Sequence, residues 1–245
     1  MRNIKITIEY DGSRYKGFQR LKDNDNTIQG KIEAVLSKMA DEKIEIIGSG
    51  RTDMGVHAYN QVANFKTNSS LSVRKINDYL NNYLPEDIVI KNVEEVDERF
   101  HSRYNVKQKV YLYKINNSKT QDVFLRKYST YIEKPLDIEL MKKASEYLVG
   151  EHDFTSFASS KSKKKSNVRE IHSITINKNK DMIDIFVEGN GFLYNMVRII
   201  AGALIEVGLN KKTPEDIKLM LDAKDRSKAS DTAPAKGLYL YSVKY

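Results

Sequence analysis

The sequence predicts an α+β fold made of two tandem βαββαβ-like units with antiparallel sheets. Apolar and polar residues alternate over positions 4–10, as in a half-buried strand, and apolar residues then recur at helical spacing over positions 28–39. The order of strands and helices that follows is repeated, with longer insertions, after about residue 105. The 245 residues are enough for two domains that each bury a core.

The first half contains predicted strands and helices in the order strand, helix, strand, strand, helix, strand. The strands are expected at residues 4–10, 44–47, 61–65 and 88–96, and the helices at residues 28–39 and 73–80. Thr27 is a plausible N-cap for the first helix, and Asp11-Gly12 breaks the first strand. The second helix is expected to end before Pro85.

The second half repeats this order of elements. Its strands are expected at residues 106–115, 174–176, 183–187 and 238–243, and its helices at residues 137–148, 192–207 and from 213 onward. Asp137 caps the first of these helices, and Pro214 takes the first position of the last one. The predicted domains are therefore residues 1–105 and 106–245. Their order of elements is the split-βαβ, ferredoxin-like arrangement that RNA-recognition modules also use, and a cleft is expected between the two sheets.

The composition is typical of a protein that binds a polyanion. The net charge is +8 and the pI is about 9.3, which makes RNA the leading candidate partner, although a lysine-rich composition alone gives the same charge. The chain has no cysteine, which excludes disulfides and fits a cytoplasmic enzyme. It has no apolar run long enough to span a bilayer, and its four histidines lack metal-ligand spacing. We therefore expect neither a membrane segment nor a metal site.

A lysine-rich segment, residues 159–166, interrupts the second half. It has few apolar residues and is expected to form a loop. Such a loop either holds RNA phosphates or is an ordinary solvated surface loop, and the sequence by itself favours neither.

A polar loop with the sequence GRTDMGVHA, residues 50–58, separates two predicted strands of the first half. Asp53 lies between two glycines in this loop, and Arg51 precedes it. Loops between strands are where a rigid scaffold usually presents working side chains, but the same composition is also ordinary turn chemistry. The loop lacks the GxxxxGK[ST] pattern of a nucleotide-binding P-loop. His57 is expected to order the loop by hydrogen bonding rather than to act as a general base.

Arg198 is the only charged residue of the 192–207 helix before Glu206. The helix is apolar nearly all round and is therefore expected to be buried. A buried guanidinium is costly unless an anion pairs with it, and Glu206, two turns away, is a poor partner. Asp53 is the natural candidate, and their pairing would place both residues at the cleft. A plain salt bridge between the domains, or an Arg198 that reaches the surface, are the alternatives.

Motifs spread along almost the full chain agree with one known family. They are IEYDG with GFQR (residues 8–20), GRTDMGVHA (50–58), FHSR with KVYLY (100–113), GEHDFTSF (150–157), NGFLYNMVR (190–198) and GLYL (237–240). Together they resemble the tRNA pseudouridine synthase A (TruA) family. Met54 is a departure, because the family usually has alanine there.

The resemblance implies an isomerase that converts uridine to pseudouridine at positions 38, 39 and 40 of the tRNA anticodon stem-loop. It also implies a homodimer, and no cofactor. By the family's pattern Asp53 is the nucleophile, Arg198 holds it ionised, and Tyr111 stacks on or flanks the target uracil. Arg51 and Arg20 are candidate RNA contacts. The target base is expected to be flipped into a catalytic cleft between the two domains.

The sequence leaves the chemical route and two rival functions open. The carboxylate either attacks C1′ of the ribose, as in glycosidases, or adds to C6 of the base. A non-catalytic RNA-binding protein fits the charge and the element order, but it needs neither Asp53 nor an arginine in an apolar helix. A nucleoside glycosidase would also use Asp53, but such enzymes usually need a second acidic group, and none is evident in the motifs.

Overall fold

The computed structural model of this chain describes residues 1–22, 24–159 and 166–245, which form two units. Unit 1 contains Met1–Lys107 together with Tyr239–Tyr245, and unit 2 contains Gln108–Leu238. The centre of the lysine-rich segment, residues 160–165, lies outside the described residues, so its loop conformation stays a prediction.

Strands and helices follow one another along the described chain as expected for an α+β protein. The strands are β1 (Arg2–Tyr10), β2 (Ile47–Gly48), β3 (His57–Thr67), β4 (Ile88–Val96), β5 (Gln108–Asn116), β6 (Thr130–Tyr131), β7 (Gly150–Asp153), β8 (Val168–Asn179), β9 (Met182–Gly189) and β10 (Leu238–Lys244). The helices are α1 (Ile28–Ala40), α2 (Val73–Tyr83), α3 (Ile138–Glu146), α4 (Met196–Gly208) and α5 (Pro214–Ala223). The α+β class is confirmed.

The sheet of unit 1 has the strand order β4–β1–β3–β10, with β2 paired to β3. β1 is antiparallel to both β3 and β4, whereas β10 is parallel to β3. Alternate residues of β1 are fully buried, namely Ile4, Ile6 and Ile8, which confirms the predicted period of two. α1 begins as predicted, because Thr27 Oγ1 accepts a hydrogen bond from Gly30 N (3.1 Å).

The predicted strand at residues 44–47 is wrong for most of its length, since only β2 pairs with β3. Ile44 and Ile46 are buried, as the pattern requires. However, Ile44 N donates to Ser37 Oγ (2.9 Å) and Ile46 N donates to the Glu33 carboxylate (2.9 Å). Side chains of α1 therefore satisfy the backbone donors that a neighbouring strand would otherwise have satisfied.

The sheet of unit 2 has the antiparallel order β5–β9–β8–β7, with β6 parallel to β5. β8 and β9 are the two adjacent strands that the apolar pattern predicts. β6 and β7 are too short to show an apolar alternation, which is why the sequence does not reveal them. Gly150 has a φ of +104° and begins β7.

The long apolar helix α4 begins at Met196, later than the predicted start at Phe192. Asn195, its N-cap, has a φ of +60°, in the left-handed region that a helix interior does not accept. From Met196 onward most side chains are buried, which confirms the predicted burial of the helix. No helix among the described residues is both long and apolar enough to cross a membrane.

The last strand lies elsewhere than the sequence suggests. The predicted second domain, residues 106–245, includes β10, whereas Tyr239–Tyr245 belong to unit 1. The start of β10 pairs in parallel with the start of β3 and so covers a strand edge that would otherwise offer unpaired backbone groups. The break after Lys107 lies close to the predicted one after residue 105.

Candidate active site

Backbone hydrogen bonds hold the polar loop, residues 50–58, from two directions. Ser49 N donates to Val62 O of β3 (2.7 Å), which fixes the start of the loop. Phe18 N, in the segment ahead of α1, donates to Thr52 O (3.0 Å). The loop that the sequence singles out is therefore tied to both β3 and the residues that lead into α1.

Asp53 begins a tight turn within this loop. Its carbonyl accepts a hydrogen bond from Val56 N (3.1 Å), and Gly55 has a φ of +78°. A type II turn requires this angle at its third residue, where glycine avoids the steric cost of a side chain. Asp53 is half-buried, whereas Met54, on the outside of the turn, is 58% exposed. The turn thus fixes the backbone that carries the carboxylate.

A buried pair of hydroxyl groups holds the residue next to Asp53. Tyr10 OH and Thr52 Oγ1 are 2.7 Å apart, and both residues are buried. Burial raises the pKa of the Tyr10 phenol well above its usual value. The phenol therefore stays neutral near neutral pH and keeps its hydrogen bond to Thr52.

Two glycines ahead of α1 leave room for the polar loop. A Cβ at Gly12 would lie 1.9 Å from Val56 O, and a Cβ at Gly17 would lie 2.7 Å from Thr52 O. Gly17 also has a φ of +106°. Glycine is needed at both positions because the backbone of the loop occupies the space of a side chain.

His57 orders the loop through hydrogen bonding, which confirms the prediction for this residue. Its buried ring stacks on Tyr239 of β10 with centroids 4.7 Å apart. Gly12 N donates to His57 Nδ1 (3.2 Å), and Asp11 Oδ1 lies 3.1 Å from the same nitrogen. Nδ1 accepts from Gly12 N when it carries no proton and donates to Asp11 when it carries one, so a hydrogen bond is available in either state.

The two arginines predicted to contact RNA have different surroundings. Arg51 is exposed in the polar loop. Arg20 is half-exposed, with Nη1 3.0 Å from Glu33 Oε2 and Nη2 3.3 Å from Glu45 Oε1. Glu33 Oε2 accepts no well-aligned hydrogen bond from the described residues, so its attraction to Arg20 is mainly between the charges. Because Glu33 is 4% exposed, Arg20 is the counter-ion that makes its burial tolerable. Arg20 therefore stabilises unit 1, and its contact with RNA stays a prediction.

Arg198 is half-buried in the first turn of α4 and donates to neutral oxygens within unit 2. Its Nε donates to Ala233 O (2.7 Å), and its Nη1 donates to Asn195 Oδ1 (3.0 Å). Ala233 N donates in return to Arg198 O (3.1 Å). Both acceptors are neutral oxygens, so they orient the guanidinium and neither of them cancels its positive charge. The predicted pairing of Arg198 with Asp53 joins residues of different units and stays a prediction.

The chain between α5 and β10 lies directly on α4 and provides the carbonyl that orients Arg198. A Cβ at Gly202 would lie 2.1 Å from Asp231 O, so the approach is too close for any other residue. On the same stretch Pro234 O accepts a hydrogen bond from Tyr113 OH (3.0 Å). Sequence reasoning missed this support, because small polar residues ahead of a proline indicate only a loop.

Asn195 is a second supporting residue that sequence reasoning missed. Its Oδ1 accepts the hydrogen bond from Arg198, while its Nδ2 donates to Ser159 Oγ (3.0 Å). Asparagine adopts the left-handed region more readily than most residues, which explains its presence at this position. An asparagine ahead of an apolar run is a helix-start signal that would have pointed to it.

Tyr111 lies on β5 and is 9% exposed. Its ring meets Phe192 edge to face, with centroids 5.2 Å apart and planes inclined by 86°. This contact fixes the plane of the phenol ring. The role of Tyr111 beside a uracil stays a prediction.

The chemical groups that the two units present are a carboxylate, several guanidiniums and a phenol ring. In the described ranges, no group of three or more His, Cys, Asp or Glu side chains could hold a metal ion. A positioned carboxylate can form a covalent intermediate or stabilise positive charge on a sugar carbon. An arginine whose charge is oriented but not cancelled can keep a carboxylate ionised or bind an anionic substrate.

Relatives of the same length share more than half of their residues with this chain. It is 58% identical to tRNA pseudouridine synthase A from Bacillus sp. (strain KSM-64), over 100% of both chains. It is 56% identical to tRNA pseudouridine synthase A 2 from Bacillus cereus (strain ZK / E33L), again over 100% of both chains. The protein with the same description from Bacillus anthracis is 55% identical over 100% of both chains.

The structural comparison is much weaker than the sequence comparison. One chain of the crystal structure of a Cbf5-Nop10-Gar1 complex matches over 97% of this chain and 48% of that chain, at 10% identity and a TM-score of 0.37. By contrast, a family model described as tRNA pseudouridine synthase matches residues 6–105 and 144–245. The resemblance seen in the motifs is confirmed, and the chain belongs to the tRNA pseudouridine synthase family, whose members isomerise uridine to pseudouridine.

Proposed function

We propose that this protein isomerises uridine to pseudouridine at positions 38, 39 and 40 in the anticodon stem-loop of tRNA. The observation that supports the proposal best is Asp53, a half-buried carboxylate on a turn closed by Val56 N. It occurs in a chain that is 58% identical over its full length to tRNA pseudouridine synthase A from a Bacillus species. A rigid turn with one acid is what covalent or electrostatic catalysis at a sugar carbon requires.

The reaction moves one glycosidic bond and balances without a co-reactant. The bond between N1 and C1′ of uridine breaks, the base turns, and a bond forms between C5 and C1′. C5 then loses its proton and N1 gains one. Neither an oxidant nor a group donor takes part, and the proposal therefore includes no cofactor.

Asp53 is the proposed nucleophile in this reaction. Its carboxylate either bonds to C1′, which splits the rearrangement into two displacements, or adds to C6, which loosens the base from the sugar. Both routes need the ionised form of Asp53 and a target base that has left the helical stack.

Arg198 and Tyr111 have proposed roles in the same reaction. Arg198 keeps the nucleophile ionised, and its neutral partners Ala233 and Asn195 support this role because they leave the charge of the guanidinium available. Tyr111 flanks the target uracil, and the contact of its ring with Phe192 supports a fixed orientation. Arg51 and Arg20 are proposed RNA contacts.

The proposal includes tRNA as partner, a homodimer as the working form and the cytoplasm as its location. The net charge of +8 supports binding to RNA, because released counterions favour the complex. Sedimentation of the protein with and without tRNA tests the dimer. A monomer that isomerises tRNA at full rate contradicts it.

Tritium release from tRNA carrying [5-³H]uridine tests the proposed function. The wild-type protein is expected to release tritium while the base stays in the RNA, and Asp53→Asn is expected to release none. Met54→Ala is the matched control, because it changes the neighbouring exposed side chain and leaves the turn intact. An Asp53→Asn variant with full activity overturns the proposal, and so does free uracil as the product.

Transcripts with uridine at only one of positions 38, 39 and 40 test the proposed positions. Release from each of the three transcripts is expected. Release from uridines outside the anticodon stem-loop, with none from these three, contradicts this part of the proposal and leaves the isomerase activity standing.

A further inference from the structure

We propose that Tyr104, braced by His101, is a stacking platform for an unpaired base of the RNA substrate. This inference rests on the proposed function for the identity of its partner. It adds a binding residue outside the polar loop, in a part of unit 1 to which the proposed reaction assigns no role.

Tyr104 presents a large ring to solvent on a well-supported backbone. It is 78% exposed, and its ring centroid lies 4.2 Å from that of His101, with planes inclined by 32°. One face of the phenol ring therefore packs on the imidazole, and most of the remaining surface is open.

Hydrogen bonds around His101 hold this ring pair in place. His101 Nδ1 faces the backbone N–H groups of Arg103 (3.2 Å) and Tyr104 (3.3 Å) and accepts from both. The carbonyl of His101 accepts from Tyr104 N (3.2 Å) and Asn105 N (3.0 Å). Asn105 Oδ1 in turn accepts from His101 N (2.6 Å). The turn is closed on itself, so that the exposed ring loses little conformational entropy when it binds a partner.

Ser102, between the two rings in sequence, anchors the turn to the sheet of unit 1. It is fully buried, and its N donates to Asn64 Oδ1 (2.9 Å). Its hydroxyl donates to Ile47 O, and its carbonyl accepts from Tyr245 OH (2.7 Å). The platform is therefore attached to β2, β3 and the C-terminal residue, and it is not a flexible surface loop.

The charges around Tyr104 favour RNA over a protein partner. Residues 99–107 contain Arg99, Arg103 and Lys107, all exposed. The two acids just ahead of them have partners: Asp97 Oδ1 accepts from Arg99 N (2.8 Å), and Glu98 Oε1 lies 3.9 Å from Lys66 Nζ. Lys107 N donates to Lys244 O (2.9 Å), which brings a fourth exposed cation to the same place. An aromatic ring bordered by cations is the combination that binds single-stranded nucleic acid, with stacking for the base and charge for the phosphates.

Tyr83 provides a matched comparison within unit 1. It is 61% exposed on α2, and its ring lies 4.4 Å from that of Tyr79 with planes inclined by 41°. The geometry is nearly that of the Tyr104 pair. Residues 76–90 contain the acids Asp78, Glu86 and Asp87 and no lysine or arginine, although Asp87 is paired with Arg14 (2.6 Å). The excess of negative charge in this range repels phosphates. We infer that Tyr83 does not stack on RNA.

Single tryptophans at the two positions test the proposal directly, because the chain has no tryptophan of its own. Tyr104→Trp and Tyr83→Trp are titrated with unmodified tRNA transcript, and the indole fluorescence is followed. Stacking on a base is expected to quench the indole at position 104 in a saturable way and to leave that at position 83 unchanged. Heparin, a polyanion without bases, is expected to bind without producing this quench.

Affinity measurements with Tyr104→Ala complete the test. The Kd for tRNA is expected to rise about 10-fold or more, while kcat at saturating tRNA stays near that of the wild type. Tyr104→Phe is expected to bind like the wild type, because it keeps the stacking face. Tyr83→Ala is expected to leave Kd unchanged.

Two outcomes would contradict the stacking role of Tyr104 and leave the proposed function unaffected. The first is tritium release at the wild-type rate by Tyr104→Trp with no quench on saturation. The second is a Tyr104→Ala variant that has lost only self-association, which would assign this face to a second copy of the chain. If the wild type releases no tritium from tRNA, the proposed function is contradicted. The fluorescence quench does not depend on tritium release, so it still tests the stacking by itself.

Discussion

The two units hold their proposed active-site residues by different means. In unit 1 the backbone around Asp53 is fixed on both sides, by the turn bond from Val56 N and by the contact between Thr52 and Phe18. In unit 2 the backbone of Arg198 is helical and its carbonyl accepts from Ala233 N (3.1 Å), while its side chain is held at its far end by Ala233 O and Asn195 Oδ1. A short acid is positioned through its main chain, because its carboxylate is never far from Cα. A long arginine has to be positioned through its head group.

Both units also contain a buried pair of a tyrosine and a threonine, which makes the comparison sharper. Tyr10 OH lies 2.7 Å from Thr52 Oγ1 in unit 1, and Tyr113 OH lies 2.6 Å from Thr130 Oγ1 in unit 2. Tyr113 OH also donates to Pro234 O (3.0 Å), on the stretch that orients Arg198. A buried tyrosine–threonine pair therefore supports the turn that carries Asp53 in unit 1 and the stretch that orients Arg198 in unit 2.

Removing the head group of Arg198 is expected to have the largest effect on activity among these tests. Arg198→Gln keeps a donor for Ala233 O but loses the charge, and kcat for tritium release is expected to fall about 100-fold, as for the loss of an electrostatic catalytic group. Stability, measured by thermal unfolding, is expected to change little.

Arg226→Gln is the matched control for this prediction. Arg226 also donates to neutral oxygens on the same stretch, Ala229 O (3.3 Å) and Thr232 Oγ1 (3.2 Å). If both variants lose activity equally, the loss comes from a loosened chain segment, and the proposed role of the Arg198 charge is wrong.

Adding a Cβ at a glycine where another backbone segment passes close by is expected to destabilise both units. Gly12→Ala would place a Cβ 1.9 Å from Val56 O, and Gly202→Ala would place one 2.1 Å from Asp231 O. Each is expected to lower the free energy of unfolding by at least about 2 kcal/mol, because backbone atoms must move. Urea denaturation measures the change, and Gly191→Ala, whose nearest neighbour is 3.9 Å away, is the tolerated control. Wild-type stability of either variant would show that the approach is not tight.

Replacing the threonine of each buried pair is expected to destabilise unit 1 more than unit 2. The loss in the free energy of unfolding is smaller than that caused by the glycine substitutions. Thr52→Val should lower the free energy of unfolding by about 1–2 kcal/mol, because the buried Tyr10 phenol then keeps only its weaker interaction with Gln61. Thr130→Val should cost less, about 1 kcal/mol or below, because Tyr113 keeps its hydrogen bond to Pro234 O. Thr→Ser at each position keeps the hydroxyl and serves as control. A larger loss for Thr130→Val contradicts the comparison.

The smallest expected effect concerns two carboxylates that respond to pH in opposite directions. Burial raises the pKa of Asp184 in unit 2, while the charge of Lys114 acts against that shift. The hydrogen bond from the Thr67 hydroxyl, followed by that from Asn68 N, lowers the pKa of Glu42 in unit 1. For Asp184 the folded state prefers the protonated form, so its cost appears as pH rises above the unfolded pKa. For Glu42 the stabilisation is present above the unfolded pKa and is lost as pH falls through the folded pKa.

Thermal unfolding of Asp184→Asn and Glu42→Gln between pH 7 and pH 3 checks both signs. At pH 7 Asp184→Asn is expected to be more stable than the wild type by less than about 1 kcal/mol, since the group is only partly buried. Glu42→Gln is expected to be less stable than the wild type at pH 7. Both differences should shrink toward pH 3. Differences that are equal at all pH values would exclude titration of these groups as the cause.

The sequence by itself determined the class of fold, the family and most elements. Strand β1 and helices α1, α2 and α3 follow from short-range patterns, because burial on one face imposes a period on neighbouring residues. The polar loop is recognisable for the same reason, since its glycines and Asp53 lie within one turn of chain. His57 was correctly expected to order that loop.

The tertiary structure alone decided the features that depend on residues distant in sequence. It assigns β10 to unit 1, replaces most of the predicted strand at 44–47 with bonds to side chains of α1, and gives Arg20 the buried Glu33 as partner. It also brings Ala233 to Arg198 across the close approach at Gly202. Each of these contacts satisfies a buried donor, acceptor or charge, and the sequence shows that such a group needs a partner but not which distant residue supplies it.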